Sequence, residues 1–94
     1  MAYRLRTTKQ FEKDVKRCIK RGLSMDKLRR AMELLEQNGS LPDYYSPHLL
    51  HGKRDGQWEC HIEPDWLLIW EQYEEELLML MINTGSHSDL FGKK

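Results

Sequence analysis

The 94-residue chain has few of the features that mark membrane, secreted or disulfide-stabilised proteins. No apolar run approaches the roughly 18 residues of a membrane-spanning helix. The first residues, MAYRLRTTKQFEKD, contain no apolar signal segment, so a cytoplasmic protein with no membrane partner is expected. The two cysteines, Cys18 and Cys60, occur singly in apolar periodic stretches, and we expect both to be reduced packing residues. The length predicts one domain over residues 1–94.

The sequence also lacks the common nucleotide-binding and hydrolase motifs. It contains no phosphate-binding glycine loop, dinucleotide fingerprint or nucleophile elbow, and the glycine-flanked GKRDG segment lacks the P-loop spacing. No close pair of metal ligands falls on a predicted helix, because the His48-x-x-His51 pair lies in a segment rich in Pro, Gly and Asp. Any chemistry must therefore come from residues that the fold brings together.

A net charge of zero conceals a strong division of charge along the chain. Residues 1–30 contain eleven Lys or Arg and three acidic residues, whereas residues 31–94 contain four basic and twelve acidic residues. Such a division indicates either a nucleic-acid surface in the first third or an ordinary solvated helix face.

Periodicity predicts a strand and two helices in the first half of the chain. Residues 2–6 alternate apolar and basic side chains, as a short strand does. Thr7 and Gln10 resemble a capping box at the start of a first helix, which Gly22 is expected to end. Ser24 is expected to cap a second helix, which Asn38-Gly39 is expected to end. Joined by so short a link, the two helices should form a hairpin.

The first helix is predicted to have an apolar face and a basic face. The apolar face follows the i, i+4, i+7, i+8 spacing and comprises Phe11, Val15, Cys18 and Ile19. The basic face is the candidate nucleic-acid surface, and it comprises Lys9, Lys13, Lys16 and Lys20, with Arg17 and Arg21 beside them.

The second half of the chain predicts a sheet. Strands are expected over residues 57–63, 65–73 and 77–83, paired as an antiparallel meander. The apolar run LLMLMI is expected to be a central strand covered on both faces. The predicted fold class is α+β, with an N-terminal strand and a helical hairpin packed on an antiparallel sheet.

Three of the four histidines are expected to meet at one end of this sheet. In a meander, the turn between the first two strands and the end of the third lie at the same end, which brings His61, Asp65 and His87 together. His48 joins them if the central loop folds over. Histidine exchanges protons near neutrality, so one neutral and one charged imidazole suit metal-free RNA cleavage. Zinc binding and a purely structural role remain open from the residues alone.

Three motifs, SPHLLHG, ECHIEPDWLLIW and TGSHSDLFG, follow the two predicted helices in this order. Together they resemble the YafQ branch of the RelE/ParE toxin superfamily, most densely over residues 41–92. The resemblance implies a RelE-like fold and the toxin half of a type II toxin–antitoxin pair. It also implies a ribosome-dependent endoribonuclease that cleaves mRNA in the A site without a metal or other cofactor. The implied partners are a cognate antitoxin, the 70S ribosome and mRNA.

The same resemblance implies the roles of individual residues. His48 corresponds to a general base and His87 to a general acid. His61 and Asp65 would hold the scissile phosphate and orient the histidines, and Phe91 would stack on a base. Relatives commonly carry Arg where Trp58 stands here, and we expect the missing charge to come from Lys53 and Arg54. By strand alternation, Trp66 is expected in the core.

Two other classes of function compete with this hypothesis. A non-catalytic ParE-like or antitoxin-binding module of the same fold would not need His48 and His87 together. A metal-bound structural domain would use the histidines as ligands.

Overall fold

The computed structural model describes residues 2–92, which form one mixed sheet with helices packed on it. The strands are β1 (Arg4–Thr7), β2 (His48–Leu49), β3 (Trp58–Glu63), β4 (Trp66–Tyr73) and β5 (Leu78–Gly85). The helices are α1 (Lys9–Lys20), α2 (Met25–Asn38) and the short α3 (His87–Phe91), and single 3-10 turns cover Asp43–Tyr45 and Gly52–Arg54. The predicted α+β class is confirmed.

The sheet has the strand order β1-β5-β4-β3-β2. The predicted antiparallel meander is confirmed for β3, β4 and β5. The N-terminal strand belongs to the same sheet, because β1 pairs in parallel with β5, and this makes the sheet mixed rather than purely antiparallel. The opposite edge is the two-residue β2, which pairs with β3 where a loop was expected.

Helix α1 begins one residue later than the sequence suggested. Thr8 is the N-cap, and its hydroxyl accepts a hydrogen bond from the Phe11 backbone N–H at 2.9 Å. The predicted Thr7–Gln10 capping box is therefore wrong, and the Thr7 hydroxyl donates instead to the Glu12 carboxylate at 2.9 Å. At the end of α2, Gly39 adopts a left-handed φ of 74°, as the predicted glycine stop requires.

The centre of the core is β4, not β5. Residues 66–70 of β4 are all buried, so this strand is covered on both faces. Strand β5 alternates instead: Met79 and Met81 are buried, while Leu78 and Leu80 are half-buried. The expectation that LLMLMI is covered on both faces was therefore wrong, because the helices cover only one face of β5 fully.

The predicted apolar face of α1 is only partly buried. Phe11 and Cys18 lie in the core, but Ile19 is 54% exposed, contrary to expectation. The buried position that hydrophobicity missed is Asp14, which is 1% exposed. Its carboxylate accepts hydrogen bonds from the Asn83 side chain at 2.9 Å and the Thr84 N–H at 3.2 Å. A satisfied buried carboxylate thus ties α1 to β5.

Both cysteines are free and fully buried. Burial raises the pKa of the Cys60 thiol to about 12, and burial also raises the pKa of Cys18. The predicted role as reduced packing residues is confirmed.

Within residues 2–92, no helix is both long and apolar enough to cross a bilayer.

Candidate active site

Strand register brings the predicted residues to one end of the sheet. His61 of β3 pairs with Leu67 of β4, and Leu67 pairs with Gly85 of β5. Asp65 lies two residues before Leu67, and His87 lies two residues after Gly85. The ring centroids of His61 and His87 are 5.7 Å apart. The predicted convergence of His61, Asp65 and His87 is therefore present.

Asp65 and His87 form a pair with defined proton positions. One carboxylate oxygen, Asp65 Oδ1, lies 2.6 Å from His87 Nδ1 and accepts the His87 backbone N–H at 2.8 Å. These two hydrogen bonds, the backbone one first, hold the pKa of Asp65 below its usual range. An ionised carboxylate only accepts hydrogen bonds, so Nδ1 carries the proton that faces Asp65. The His87 side chain is 54% exposed.

The helix that carries His87 is fixed by its own capping box. The Ser86 hydroxyl accepts the Asp89 N–H at 3.1 Å, and the Asp89 carboxylate accepts the Ser86 N–H at 2.9 Å. Gly85 precedes this turn, and a Cβ there would lie 2.8 Å from Asp89 Oδ2. Only glycine fits so close an approach without displacing the cap.

Two arginines of the α1 end clamp the same helix. Arg21 donates to both oxygens of Asp89, at 2.5 and 3.0 Å, and Arg17 Nε lies 3.6 Å from Asp89 Oδ2. The hydrogen bonds from Arg21 hold the pKa of the Asp89 carboxyl well below its usual range. A bidentate arginine pair fixes orientation as well as charge. The clamp therefore sets where α3, and with it His87, lies against α1.

A second carboxylate, which the sequence did not single out, joins the other two histidines. Glu59 is 5% exposed, and its Oε1 lies 3.1 Å from His48 Nε2 and 3.8 Å from His61 Nε2. His48 is the cross-strand partner of Glu59, and His61 is two residues further along the same face of β3. The Glu-x-His alternation of Glu59 and His61 places both side chains on one face of β3. This pattern was a signal for their contact, whereas the contact of Glu59 with His48 depends on the short β2 strand.

Backbone carbonyls orient both of these imidazoles. His48 Nδ1 donates to the Ser46 carbonyl at 3.0 Å, and His61 Nδ1 donates to the Pro64 carbonyl at 3.2 Å. Because carbonyl oxygens only accept, each Nδ1 carries a proton and each Nε2 is directed toward Glu59. The loop does fold over as expected, and His48 reaches the site through Glu59.

Phe91 lies on α3, four residues after His87, and is 48% exposed. The Arg54 guanidinium lies over the Phe91 ring at 5.6 Å, and Lys53 lines the same groove. Trp58 stacks on Trp70 with ring centroids 6.2 Å apart and brings no charge. The cations predicted to replace an arginine at position 58 are thus next to the predicted base-stacking ring.

The predicted basic face of α1 divides into two sets. Four lysines are exposed, namely Lys9, Lys13, Lys16 and Lys20. Arg17 differs from them, because it donates to the buried Asp14 at 3.1 Å and to the Thr84 carbonyl at 3.4 Å. Its internal contacts separate Arg17 from the lysines with which it was predicted to bind RNA.

The remaining predicted positions are structural. Trp66 is 2% exposed, and its indole N–H donates to the buried Thr84 hydroxyl at 2.9 Å, so the expected core position is confirmed.

Among residues 2–92, no group of three or more His, Cys, Asp or Glu side chains is arranged to hold a metal ion.

Comparison with known proteins identifies the family of this chain. The family model for the bacterial toxin of the type II toxin–antitoxin system, YafQ, matches residues 3–92. The mRNA interferase toxin YafQ of Escherichia coli K12 is 42% identical over 84 residues, covering 88% of this chain and 89% of that protein.

Solved structures of similar proteins superpose over nearly the whole chain. YafQ from E. coli BL21(DE3) has a TM-score of 0.89 at 37% identity, covering 96% of this chain and 99% of its own. The E. coli DinJ–YafQ toxin–antitoxin complex has a TM-score of 0.87 at 38% identity, covering 98% of this chain and 100% of its own. A metal-bound toxin from Helicobacter pylori has a TM-score of 0.85 at 33% identity, covering 97% of this chain and 100% of its own. With its RelE-like fold, this chain belongs to the YafQ family of bacterial type II toxin–antitoxin toxins.

Proposed function

We propose that this protein is an mRNA interferase that cleaves ribosome-bound mRNA in the A site by metal-independent acid–base catalysis. The observation that carries the proposal is the Asp65–His87 pair. The ring centroid of His87 in this pair lies 5.7 Å from that of His61. The similar protein named mRNA interferase toxin YafQ supports the same class of reaction.

In this proposal the attack begins at the His48–Glu59 pair. The proton of the ribose 2′-hydroxyl moves to His48 Nε2 on the side that faces Glu59 Oε1, so that it ends between these two acceptors, while Nδ1 keeps its proton on the Ser46 carbonyl. The Glu59 carboxylate, 3.1 Å from Nε2, stabilises the imidazolium that forms. The 2′-oxygen then forms a bond to phosphorus, and His61 supplies positive charge or hydrogen bonds to the crowded phosphorane.

The departing oxygen receives its proton from His87. The P–O5′ bond breaks as Nε2–H of the His87 imidazolium protonates O5′, and Asp65 stabilises that imidazolium through Nδ1. The products are a 2′,3′-cyclic phosphate and a 5′-hydroxyl. Phe91 holds a neighbouring base by stacking, with Arg54 and Lys53 close to its phosphate.

The ribosome and an antitoxin are the proposed partners, and the cytoplasm is the proposed compartment. The exposed lysines of α1, Lys9, Lys13, Lys16 and Lys20, would meet ribosomal RNA phosphates. The E. coli DinJ–YafQ complex supports an antitoxin partner for this chain as well.

Mapping the ends of cleaved mRNA tests the proposal directly. Wild-type protein induced in cells should arrest growth and create new mRNA 5′ ends, and a folded His87→Ala protein should do neither. Purified protein should leave 2′,3′-cyclic or 3′-phosphate ends on ribosome-bound mRNA. A 3′-hydroxyl end would contradict attack by the 2′-hydroxyl. Growth arrest with intact mRNA would favour the ParE-like alternative.

A further inference from the structure

A second exposed aromatic side chain, Tyr44, lies beside the histidines and has no part in the mechanism above. Its side chain is 76% exposed. It lines a groove of about 300 Å³ with Ser46, His61 and Ile62. His61 therefore borders both this groove and the candidate active site. A lone exposed tyrosine is ordinary, but its position next to His61 is informative.

The segment that presents Tyr44 is the one that orients His48. A 3-10 turn covers Asp43–Tyr45, and the Ser46 N–H closes it on the Asp43 carbonyl at 2.8 Å. Ser46 follows with a left-handed φ of 52°, and its carbonyl accepts the His48 Nδ1–H at 3.0 Å. Tyr44 is therefore held in a fixed relation to a residue of the site.

The Tyr44 ring is supported from below. It lies against Tyr45, with ring centroids 4.7 Å apart and planes inclined at 31°. Tyr45 is 7% exposed and belongs to the core. One side of the Tyr44 ring thus rests on a buried ring, and the rest is open to solvent. A supported aromatic platform loses little conformational freedom when a planar ligand stacks on it.

The charges around the groove favour the face of a base over a phosphate alone. Lys27, Arg30 and Asp26 line an adjoining groove of about 350 Å³ that shares Tyr44 with the first. Lys27 Nζ is already neutralised by the Glu63 carboxylate at 2.8 Å. An aromatic and an aliphatic side chain, those of Tyr44 and Ile62, line both grooves. Bases of any identity stack on such a surface, and a nearby guanidinium assists them.

We propose that Tyr44 stacks on an RNA base next to the scissile phosphate, on the His61 side of the site. Phe91 holds a base beside His87 on α3, so each end of the histidine set has its own aromatic platform. The inference rests on the proposed function, because it names a further substrate contact of that reaction.

The first test compares cleavage of ribosome-bound mRNA by Tyr44→Ala, Tyr44→Phe and Tyr73→Ala. Tyr73 is a matched control, since it is 42% exposed but lies at the end of β4 remote from Asp65. Loss of one stacked base should slow cleavage at limiting substrate by roughly 5- to 150-fold in Tyr44→Ala. Tyr44→Phe keeps the ring face and should cleave as wild type does, and so should Tyr73→Ala.

The second test uses the wild-type protein, so it does not depend on whether a variant folds. The mRNA carries 4-thiouridine next to the cleavage position and a 2′-O-methyl group that blocks attack. Irradiation on the ribosome should cross-link this base to the peptide that contains Tyr44. Cross-links confined to other peptides would overturn the inference.

The outcomes separate the inference from the function on which it rests. A wild-type protein that leaves mRNA intact would reject both. Wild-type cleavage with equal rates for Tyr44→Ala and Tyr73→Ala would reject the stacking role alone, as would a Tyr44→Phe rate as low as that of Tyr44→Ala. Normal cleavage by Tyr44→Ala with weakened antitoxin binding would assign the groove to a protein partner instead.

Discussion

The two carboxylates of the candidate site have opposite surroundings. Asp65 has a side chain that is 69% exposed and serves one imidazole, that of His87. Glu59 has a side chain that is 7% exposed and faces two imidazoles, His48 and His61. An exposed carboxylate keeps its charge at little cost, whereas a buried one requires a charged or hydrogen-bonding partner. The site thus contains two kinds of carboxylate–histidine contact, one exposed and one buried.

In the proposed mechanism, the two carboxylates belong to different halves of the reaction. In the proposed mechanism, the Asp65 half places a carboxylate with a lowered pKa against Nδ1 of an accessible imidazole, and Nε2 of that ring gives its proton to the departing oxygen. In the same mechanism, the Glu59 half places one carboxylate against Nε2 of two rings, those of His48 and His61, and takes the proton of the 2′-hydroxyl. The predictions below test whether the two halves are distinct.

Removing the His87 ring should have the largest effect. His87→Ala removes the proposed proton donor, so cleavage should fall by roughly 10²- to 10⁴-fold. Because the side chain is 54% exposed, the thermal unfolding midpoint should change little. The measurement is single-turnover cleavage of ribosome-bound mRNA. Wild-type cleavage by the folded variant would reject the assignment of the general acid.

Changing each carboxylate to its amide should slow cleavage less, and in different ways. Hydrogen bonds to charged groups contribute about 1.5–3 kcal/mol, or about 10- to 150-fold in rate. Asp65→Asn should move the high-pH limb of the rate profile to lower pH, because the acid half loses its counter-ion. Glu59→Gln should instead alter the low-pH limb, which reports the base.

The pH–rate profile of each amide variant is the control for the other variant, because the two changes should affect opposite limbs. Wild-type cleavage should be bell-shaped in pH, since one group acts protonated and another unprotonated. Identical shifts in Asp65→Asn and Glu59→Gln would show that the two halves are not separate.

The convergence of Asp65 with His61 and His87 could be predicted, because turn positions in a meander fix which strand ends meet. The importance of Glu59 could not, because its contact with His48 depends on a two-residue strand inside a segment rich in turn residues. The Arg21–Asp89 clamp joins residues far apart in sequence, and local periodicity carries no information about such contacts. For the same reason, Arg17 looked like a member of the lysine face.

The exposed lysines should matter for ribosome binding more than Arg17 does. Replacing Lys9, Lys13, Lys16 and Lys20 with Gln should weaken binding roughly 10- to 100-fold at physiological salt. It should also flatten the log–log salt slope by about 0.7 for each lysine that contacts phosphate. Arg17→Gln is the contrast: it should change thermal stability and leave the salt slope unaltered. An unchanged slope in the lysine variant would direct this face elsewhere, for instance to the antitoxin.

The clamp of Arg17 and Arg21 on Asp89 should make a smaller contribution, which is to fold stability and depends on pH. Asp89→Asn should destabilise the fold by about 1 kcal/mol, as expected for one partly shielded ion pair. The folded-state pKa values of Asp65 and Asp89 lie below the unfolded value of about 3.9. Their stabilisation is therefore present above about pH 4 and is lost as the pH falls through the folded-state values.

Acid unfolding of the two proteins measures this contribution. Wild type should lose stability below about pH 4, and Asp89→Asn should lose less over the same interval because one of the titrating groups is gone. Parallel acid-unfolding curves would show that the clamp does not stabilise α3. Arg21→Lys keeps the charge but not the bidentate contact, and it should fall between wild type and Asp89→Asn.

Metal removal should have the smallest effect of all, namely none. The proposed reaction uses Asp65–His87 and His48–Glu59 as acid and base and asks no ion to activate water. A metal-bound toxin from Helicobacter pylori has the same fold, so the test has a concrete alternative. Ribosomes need magnesium, so the purified protein is chelated and dialysed before it meets them. Full activity is expected after chelation. If the chelated protein is inactive and zinc restores it, the histidines are metal ligands, because removal of a bound metal costs activity or folding outright.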